Sequence, residues 1–598
     1  MISKQLIYFL IFQSLIGIIF SQQPSPSQSQ TDMEAYMQQL IAQKEQVKRL
    51  SLNNLDLREL PKEIWSLTNL EELDLSYNQL KEIPAQIGDL QKLKVLKLNN
   101  NELQSLPPSF SMLKEIESLD VSYNYLRNIS WLQSDSLINL KYLNLRVNQI
   151  IDFPSTLTKA SKLTYLDFSQ NPLKSISADS QILPNSLKVL VFKNNQLEYT
   201  KNLFAELYQL EDVDLSGNKL KEFPVQLSLL NNLKTINLAG NKIEQLPKGI
   251  SLLNLKSLNL NYNKLQKLTI DAGEFKQLEY LYLGHNQLIE IQIAEKALDS
   301  LKSIVLTRNE IKLLPNVFLN LPNLEELHAS FNQINKIPPL DLPSLRKLSL
   351  NNNLLNNLPK DVLLTQLNSL ELSSNNIKKI PKTWLKPLML KQIDLSKNLL
   401  TNLILDNSTV EYLALGNNPI RELSLKNTRS LKTILLNHTR LTTIQDISDL
   451  HTPKLEIIDL SNSPIKSLSK EFFKLRYIQS INFANTKLVS FPAVKEYQLN
   501  LKNIDLSFTP IILSPDSLSK FIQLEELSLK NTKVSPNKIN WEPLLSLKRL
   551  HLENTELSIQ SINWKHLSKL EDLYIEKRKW RYQDLLSIRK ALPYTRIH

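Results

Sequence analysis

The chain has 598 residues, and its 71 Lys plus Arg against 59 Asp plus Glu give a formal net charge of +12. It contains no cysteine, which excludes thiol nucleophiles, thiolate zinc sites and disulfides. Its 8 glycines form neither G-x-G-x-x-G nor G-x-x-x-x-G-K. The sequence therefore lacks the phosphate-binding loops of those two types.

An apolar segment stands at the N-terminus. Lys4 precedes an almost wholly apolar run from Leu6 to Phe20, and Ser21 is a small residue at a plausible cleavage edge. This run is shorter than the roughly 20 residues that a bilayer span needs. It predicts a secretory signal peptide over residues 1–21. An uncleaved membrane anchor is the alternative, because Ile19 is larger than the residue usually found three positions before the cut.

Two short segments separate this region from the main part of the chain. Residues 22–31 are polar and contain proline, which predicts a disordered linker. Residues 32–46 carry an apolar stripe at helical spacing, formed by Met33, Met37, Leu40 and Ile41. Because a repeat array has an open hydrophobic end that must be covered, we expect this helix to be an N-terminal cap.

A repeated pattern, L-x-x-L-x-L-x-x-N-x-L, then runs along the chain at a spacing near 23 residues. One copy runs from Leu70 to Leu80 and the next from Leu93 to Leu103. The alternating leucines predict one short strand per copy, with the leucines inside and the residues between them outside. About 24 copies predict an α/β repeat solenoid, a horseshoe with a parallel sheet on its concave face and helical N- and C-caps.

The fuller unit L-P-x-x-I-x-x-L-x-x-L-x-x-L-D-L-S-x-N-x-L, seen from Leu60 through Leu80, resembles the 23-residue class of leucine-rich repeats. This class occurs in exported bacterial proteins and in cytosolic scaffold proteins of plants and animals. The resemblance covers roughly residues 32–598. It implies a recognition scaffold and does not identify the partner.

The asparagine of the pattern divides the array into two parts. Residues 47–420 form an Asn-ladder region, in which sixteen consecutive repeats keep Asn, from Asn78 to Asn418. Residues 421–577 form a Thr/Ser-ladder region, whose next six repeats use Thr439, Ser463, Thr486, Thr509, Thr532 and Thr555. A hydroxyl reaches less far than an amide, so we expect tighter packing at this turn. The segments 403–405 and 423–425 are predicted to be extended.

The C-terminal segment, residues 578–598, is predicted to be a second helical cap. Its stripe at helical spacing is formed by Tyr582, Leu585, Leu586, Arg589 and Leu592. Residues 588–597 resemble a closing cap of the bacterial members, and Ile597 is expected to add a last extended segment. The basic residues at 577–581 fit a solvated cap face better than a site for anionic ligands, and we expect no nucleic acid partner.

The concave face of the sheet is where we expect a partner to bind. The main candidate patch consists of Tyr262, Tyr280, Tyr282, His285, Arg308, His328 and Phe331. A second candidate patch consists of Tyr123, Tyr142, Arg146 and Tyr165. Converging Tyr, His and Arg side chains are typical of interaction hot spots. The alternative is that these large side chains only pack against one another on the sheet.

Two other patterns have structural interpretations that we favour. The residue after each leading leucine is often Lys or Glu, such as Lys48, Glu71 and Lys94, which predicts pairing of charges between neighbouring strands. A D-x-S sequence recurs in seven repeats, beginning with Asp74 and Ser76. Such recurrence indicates a preference at the strand end, since an enzyme does not need seven nucleophiles. No catalytic residue, cofactor or metal site is predicted.

The sequence therefore favours an exported, non-enzymatic scaffold that binds a protein through the concave face. The mature chain is not expected to span a membrane, and its place in the periplasm, on the cell surface or outside the cell stays open. Two alternatives remain at this point. One is a glycan or envelope-polysaccharide binder that uses the same aromatic face, and the other is a structural envelope component.

Overall fold

The computed structural model describes residues 30–598 except for 134–136, 154–156, 177–182, 201–202, 320, 449, 470, 492–493, 535–538, 556–561 and 577–581. The predicted signal peptide and nearly all of the predicted linker lie outside the described residues. The chain divides into two compact units. The first unit contains residues up to 243 together with 250–255, and the second contains 244–249 and 256–598.

The first unit is built from coils that each contribute one three-residue strand to a parallel sheet. The central residue of each strand is buried and most of the residues beside it are partly exposed, as with Leu73 between Glu72 and Asp74. This follows from the alternation of leucines in the sequence. The strands are β1 Arg49–Ser51, β2 Glu72–Asp74, β3 Val95–Lys97, β4 Ser118–Asp120, β5 Tyr142–Asn144, β6 Tyr165–Asp167, β7 Val189–Val191, β8 Asp212–Asp214 and β9 Thr235–Asn237.

The second unit repeats this arrangement, and each strand pairs in parallel with the strand of the next coil. Thus Leu281 lies opposite Ile304, and Ile304 opposite Leu327. The strands of this sheet are β10 Ser257–Asn259, β12 Tyr280–Tyr282, β14 Ser303–Val305, β15 Glu326–His328, β17 Lys347–Ser349, β19 Ser369–Glu371, β20 Gln392–Asp394, β22 Tyr412–Ala414, β24 Thr433–Leu435, β25 Ile457–Asp459, β26 Ser480–Asn482, β27 Asn503–Asp505, β28 Glu526–Ser528, β29 Arg549–His551, β30 Asp572–Tyr574 and β31 Arg596–Ile597. Each predicted repeat contains one strand of this parallel type, and β31 is the extended segment predicted at Ile597.

The return segments of the coils are short 3-10 helices or extended chain. Several of these helices begin directly after a proline, such as Pro84, because the ring presets φ near the helical value. The helices are Lys62–Ser66, Ala85–Asp89, Pro108–Met112, Ser130–Gln133, Leu157–Lys159, Val225–Leu229, Asn316–Leu319, Lys382–Leu385, Phe472–Lys474 and Trp564–Leu567.

Extended returns pair into small two-stranded sheets within the second unit. These are β11 Lys267–Ile270 with β13 Glu290–Ile293, β16 Leu340–Asp341 with β18 Val362–Leu363, and β21 Asn402–Asp406 with β23 Glu422–Lys426. The last pair confirms the prediction of extended chain at 403–405 and 423–425.

Two α-helices lie near the ends of the described chain. The first, Gln30–Ala42, begins two residues before the predicted helix and ends four before its predicted end. Its Met37 and Leu40 are buried, and it contacts the 3-10 helix Lys62–Ser66. Its apolar stripe therefore lies against the first coils.

The second α-helix is Tyr582–Ala591, and its buried side differs from the predicted helical stripe. Tyr582 is 77% exposed and Leu586 47% exposed, whereas Ile588 and Leu592 are buried. The buried face therefore follows Ile588 and Leu592, because the orientation of a short helix is set by the coil beneath it.

The asparagine at the end of each strand joins neighbouring coils. In the coil of β12, the Asn286 Nδ2 donates to the carbonyl of Leu260 in the preceding coil at 2.9 Å and to that of Leu283 at 3.0 Å. Its Oδ1 accepts the N–H of Leu265, also in the preceding coil, at 3.1 Å. One buried amide thus satisfies three backbone groups that water cannot reach.

The later threonines mostly bond within their own coil. The Thr509 Oγ1 donates to the carbonyl of Leu506 at 2.6 Å, and Thr532 to that of Leu529 at 2.7 Å. Thr439 is the exception, because its hydroxyl lies 3.0 Å from the hydroxyl of Ser463 in the next coil. The Thr/Ser-ladder region therefore has fewer bonds between coils at this turn, as the shorter reach of a hydroxyl requires.

Candidate partner-binding surfaces

The residues that flank each strand centre form one face of the sheet, called here the strand face. Tyr280 and Tyr282 stand on either side of the buried Leu281, so both lie on the strand face. Parallel register places Tyr282 opposite Val305, and Val305 opposite His328. The structure thus brings Tyr282 and His328 into one row, with the strand of Val305 between them.

A second row lies beyond the end of each strand. It is formed by the residue directly before the Asn, Thr or Ser of the repeat pattern, and this place in the coil is called here the turn position. Its backbone φ is positive in coil after coil, for example +53° at Asn352 and +69° at Gly240. Asn and Gly tolerate this left-handed conformation best. In four consecutive coils of the second unit, however, the position is filled by Tyr262, His285, Arg308 and Phe331, at φ of 56°, 55°, 57° and 57°. We call these four residues the turn ridge.

The turn ridge consists of two stacked pairs and is open to solvent. The rings of Tyr262 and His285 are parallel within 16° with their centroids 4.0 Å apart. The guanidinium carbon of Arg308 lies 4.5 Å from the centroid of the Phe331 ring. Tyr262 is nevertheless 58% exposed and Phe331 43% exposed. Most of the main candidate patch is therefore a pre-formed surface of stacked side chains.

Burial and charge set the protonation of this patch. Partial burial lowers the pKa of His285, with the positive charge of Arg308 as a further cause. Burial raises the pKa of Tyr282, so its phenol stays protonated at neutral pH. The His328 Nε2 lies 3.3 Å from a carboxylate oxygen of Glu326. The patch thus combines an uncharged phenol at Tyr282 with the cation of Arg308.

The second candidate patch also forms, within the first unit. The rings of Tyr142 and Tyr165 are stacked, with their centroids 4.6 Å apart. The guanidinium of Arg146 lies 5.5 Å from the ring centroid of Tyr123, and its Nε donates to Gln170 at 2.9 Å. Its four predicted residues therefore form two separate contacts.

Two carboxylates, Asp120 and the buried Asp167, lie beside the stacked tyrosines. Burial raises the pKa of Asp120 and of Asp167 above the ordinary aspartate value. Burial also raises the pKa of both phenols, and the charges of Asp120 and Asp167 add to that effect. Tyr142 and Tyr165 are therefore hydrogen-bonding groups without charge.

The Lys and Glu residues after the leading leucines pair with one another. The Glu71 carboxylate lies 2.8 Å from the Lys48 Nζ and 2.9 Å from the Lys94 Nζ, which belong to the coils on either side. Glu525 is held in the same way between Lys502 and Lys548. Because these charges are already compensated, the row favours the structural interpretation.

The recurring D-x-S sequence closes a turn at the end of the strand. The Asp74 Oδ1 accepts the backbone N–H of Ser76 at 3.0 Å and its hydroxyl at 2.6 Å. The same backbone bond recurs in the other six copies, at Ser122, Ser169, Ser216, Ser396, Ser461 and Ser507. These serines have a turn-forming role, which supports the structural interpretation.

Two clusters on the strand face of the second unit were not predicted. Tyr412, Leu435 and the 40% exposed Ile457 are apolar residues in three successive coils. Near the C-terminus, the rings of His551, Tyr574 and His598 form a stacked column with centroid distances of 4.0 and 4.4 Å. All of these residues except His598 flank the centre of a strand. A search for large side chains at such positions beyond residue 331 would therefore have found them. His598 lies one residue beyond its strand.

Within the described ranges, no three His, Asp or Glu side chains are placed to hold a metal ion. None of the helices in the described part of the chain combines the length and apolarity needed to cross a membrane. The basic cluster at 577–581 lies outside the described residues.

Sequence comparisons agree with this geometry. A family described as Leucine rich repeat matches residues 45–103, 69–126, 91–150, 114–173 and 231–288, and a two-copy version matches 322–363. Tsukushi from Gallus gallus is 31% identical over 249 residues, which are 38% of this chain and 67% of Tsukushi. The chain belongs to the leucine-rich repeat family.

Other relatives in this leucine-rich repeat family match over shorter stretches. Human lumican is 34% identical over 179 residues, or 29% of this chain and 52% of lumican. Human podocan-like protein 1 is 30% identical over 224 residues, or 31% of this chain and 44% of that protein. The chain thus spans about half the length of these two relatives.

Solved structures show the same repeat fold. A leucine-rich repeat protein of Leptospira interrogans is 30% identical, with a TM-score of 0.50 over 63% of this chain and 94% of that one. A TDR receptor is 20% identical, with a TM-score of 0.60 over 87% of this chain and 95% of the receptor. At that identity, the second likeness concerns the fold alone.

Proposed function

We propose that this leucine-rich repeat protein is an exported, non-enzymatic scaffold that binds a protein partner through its strand face and turn ridge. The contact is centred on Tyr280, Tyr282 and His328, with the turn ridge beside them. The observation that carries the proposal is the turn ridge itself. Bulky residues with positive φ cost roughly 1–3 kcal/mol each, and strain of this kind is concentrated at functional sites.

Because the turn ridge is exposed, packing in the hydrophobic core does not offset its backbone strain. Tyr262 and Phe331 are 58% and 43% exposed, so they contribute little to the hydrophobic core. Asn or Gly, which neighbouring coils use, would fit the backbone better. Rigid aromatic side chains provide contact area at a low cost in conformational entropy, which is what a binding surface needs. The bulky side chains of the turn ridge are thus explained by binding to a partner, since folding does not require them.

The names of related structures support a protein or peptide as the partner. One protein with this fold is described as a plant peptide hormone receptor in complex with RGF2, with a TM-score of 0.54 and 20% identity. That binding belongs to the receptor, and the low identity transfers no residue to this chain. The export in our proposal rests on the apolar segment at residues 6–20.

The test is affinity capture with the full chain and with a double variant, Tyr280→Ala with Tyr282→Ala. A hot-spot truncation costs about 2 kcal/mol or more, roughly 30-fold in affinity, so the double variant should lose its partner. Tyr208→Ala with Tyr477→Ala is the control, because both tyrosines are exposed but lie outside the strands and the turn ridge, and this variant should keep its partner. The circular dichroism spectrum should be unchanged in both variants.

The proposal is wrong if the double variant captures the same purified partner as tightly as the unchanged chain. Binding to a glycan array that disappears in the double variant, without any protein partner, would favour the glycan-binding alternative. Export is tested separately by mass spectrometry of the N-terminus. An intact Met1 on a soluble cytosolic chain would contradict it.

A further inference from the structure

Arg308 is the one cation of the turn ridge, and its charge has no counterpart there. It is exposed, its backbone φ is 57°, and its guanidinium lies 4.5 Å from the Phe331 ring centroid. Within the described part of the chain, the guanidinium takes part in no hydrogen bond or ion pair. By contrast, Arg549 pairs with Glu526, and Arg596 with Asp572.

The stacking on Phe331 prepares this guanidinium for a ligand. A cation–π contact fixes the plane of the group and leaves its five N–H donors directed outward at its edges. The ridge contains no carboxylate that could use those donors. A guanidinium held in this way recognises a carboxylate through two parallel hydrogen bonds, and less of its side-chain entropy is lost on binding.

We infer that Arg308 binds a carboxylate of an acidic segment of the protein partner, an Asp or Glu side chain, while Tyr262 and Phe331 pack beside it. This inference rests on the proposed function and adds to it the chemistry of the partner. The argument for this occupant is charge complementarity, since the exposed cation is uncompensated within the ridge. Arg308 is accordingly the residue that selects acidic partners.

The experiment uses the full chain and an array of short peptides. Each peptide that contains Asp or Glu is paired with its Asn or Gln counterpart and with a phosphoserine counterpart. We expect the acidic peptides to bind about tenfold or more tightly than their amide counterparts, as charge-assisted hydrogen bonds require. The most tightly bound pair is then titrated in solution.

Three variants assign this preference to Arg308. Arg308→Gln should abolish the difference between the acidic and amide peptides. Arg308→Lys keeps the charge but loses the planar fork, so it should retain only a small part of the difference. Lys397→Gln is the matched control, and it should leave the difference unchanged. Lys397 is an exposed cation with φ of 53° at the equivalent position of another coil, and the residue at this position in the next coil is Asn417, which has no ring.

The inference is overturned if no bound peptide depends on an acidic residue, or if the preference survives in Arg308→Gln. Preference for phosphoserine with no binding of Asp or Glu peptides would also overturn it. Loss of partner capture in the Tyr280 and Tyr282 double variant together with an unchanged Arg308→Gln variant would leave the proposed function standing and remove only this inference. Thermal unfolding of each variant shows whether a loss comes from misfolding.

Discussion

At the scale of single residues, a bulky side chain at the turn position has both a strained backbone and an exposed side chain. Phe508 occupies it with φ of 59° and is 53% exposed, while Asn485 and Asn531 occupy it in the coils on either side. Amides in this row can also bond to each other, since the Asn485 Nδ2 donates to the Asn462 Oδ1 at 2.8 Å. The backbone of Phe508 is therefore more strained than that of Asn485 and Asn531.

We expect Phe508→Asn to raise the free energy of unfolding by about 1 kcal/mol, because Asn tolerates a positive φ better than Phe. Urea titration of the full chain measures the change. Phe508→Leu is the control, since Leu is as poorly suited to this backbone, and it should give no gain. If Phe508→Asn is less stable than the unchanged chain, backbone strain at this position does not limit stability.

The ladder residues differ in what each side chain connects. Asn286→Ala should cost about 1–3 kcal/mol, because it leaves the buried N–H of Leu265 without its partner and removes one of the two amide hydrogen bonds to each of the carbonyls of Leu260 and Leu283. Thr509→Val should cost about 1 kcal/mol or less, because it removes one bond within a coil. Denaturant titration compares the two variants. Equal costs would mean that the bonds between coils do not matter.

At the scale of elements, adjacent strands are joined by alternating charges. Two lysines, Lys48 and Lys94, donate to the Glu71 carboxylate and lower its pKa from 4.5 to about 2. A carboxylate with a lowered pKa stabilises the folded state fully above its ordinary pKa. That contribution is lost as the pH falls from about 4.5 through about 2.

We therefore expect Glu71→Gln to lower stability by about 0.5–1 kcal/mol at pH 7, the range for a pair exposed to solvent. The difference from the unchanged chain should shrink towards zero as the pH approaches 2. Urea midpoints measured across this pH range, at low and high salt, test the prediction. Glu115→Gln, at an exposed position, is the control. A difference that does not depend on pH would show that charge is not the cause.

At the scale of the whole molecule, the two ladder regions differ in how their coils are coupled. In the Asn-ladder region the N–H of Asn124 donates to the carbonyl of Val147 in the next coil at 3.1 Å. In the Thr/Ser-ladder region the N–H of Thr532 donates within its own coil, to Leu529 at 3.2 Å. Stability in a repeat array depends on the contacts between neighbours, so fewer bonds at the turn should permit easier local opening.

Hydrogen exchange followed by mass spectrometry should reveal this difference. We expect turn amides in coils 486–555 to exchange roughly tenfold faster than those in coils 78–241, which corresponds to about one bond lost between coils. The strand amides within each region serve as the internal reference. Uniform protection along both regions would show that the threonine coils are coupled as strongly by other contacts.

The sequence by itself determined the repeat architecture. The alternation of leucines fixes one strand per repeat, because a strand places successive side chains on opposite faces. The recurrence of Asp74 and Ser76 in seven coils indicated a local turn, and the structure shows that turn. These features depend on residues within one coil, so periodicity and spacing were enough to predict them.

Only the tertiary structure decided which candidate residues touch and which are strained. The stacking of Tyr262 on His285 and of Arg308 over Phe331 joins residues that are 23 apart in the chain. The positive φ of the turn ridge and the buried face of the helix Tyr582–Ala591 are likewise set by neighbouring coils. Side-chain rotamers and backbone strain arise from packing between coils, and a single repeat does not contain that information.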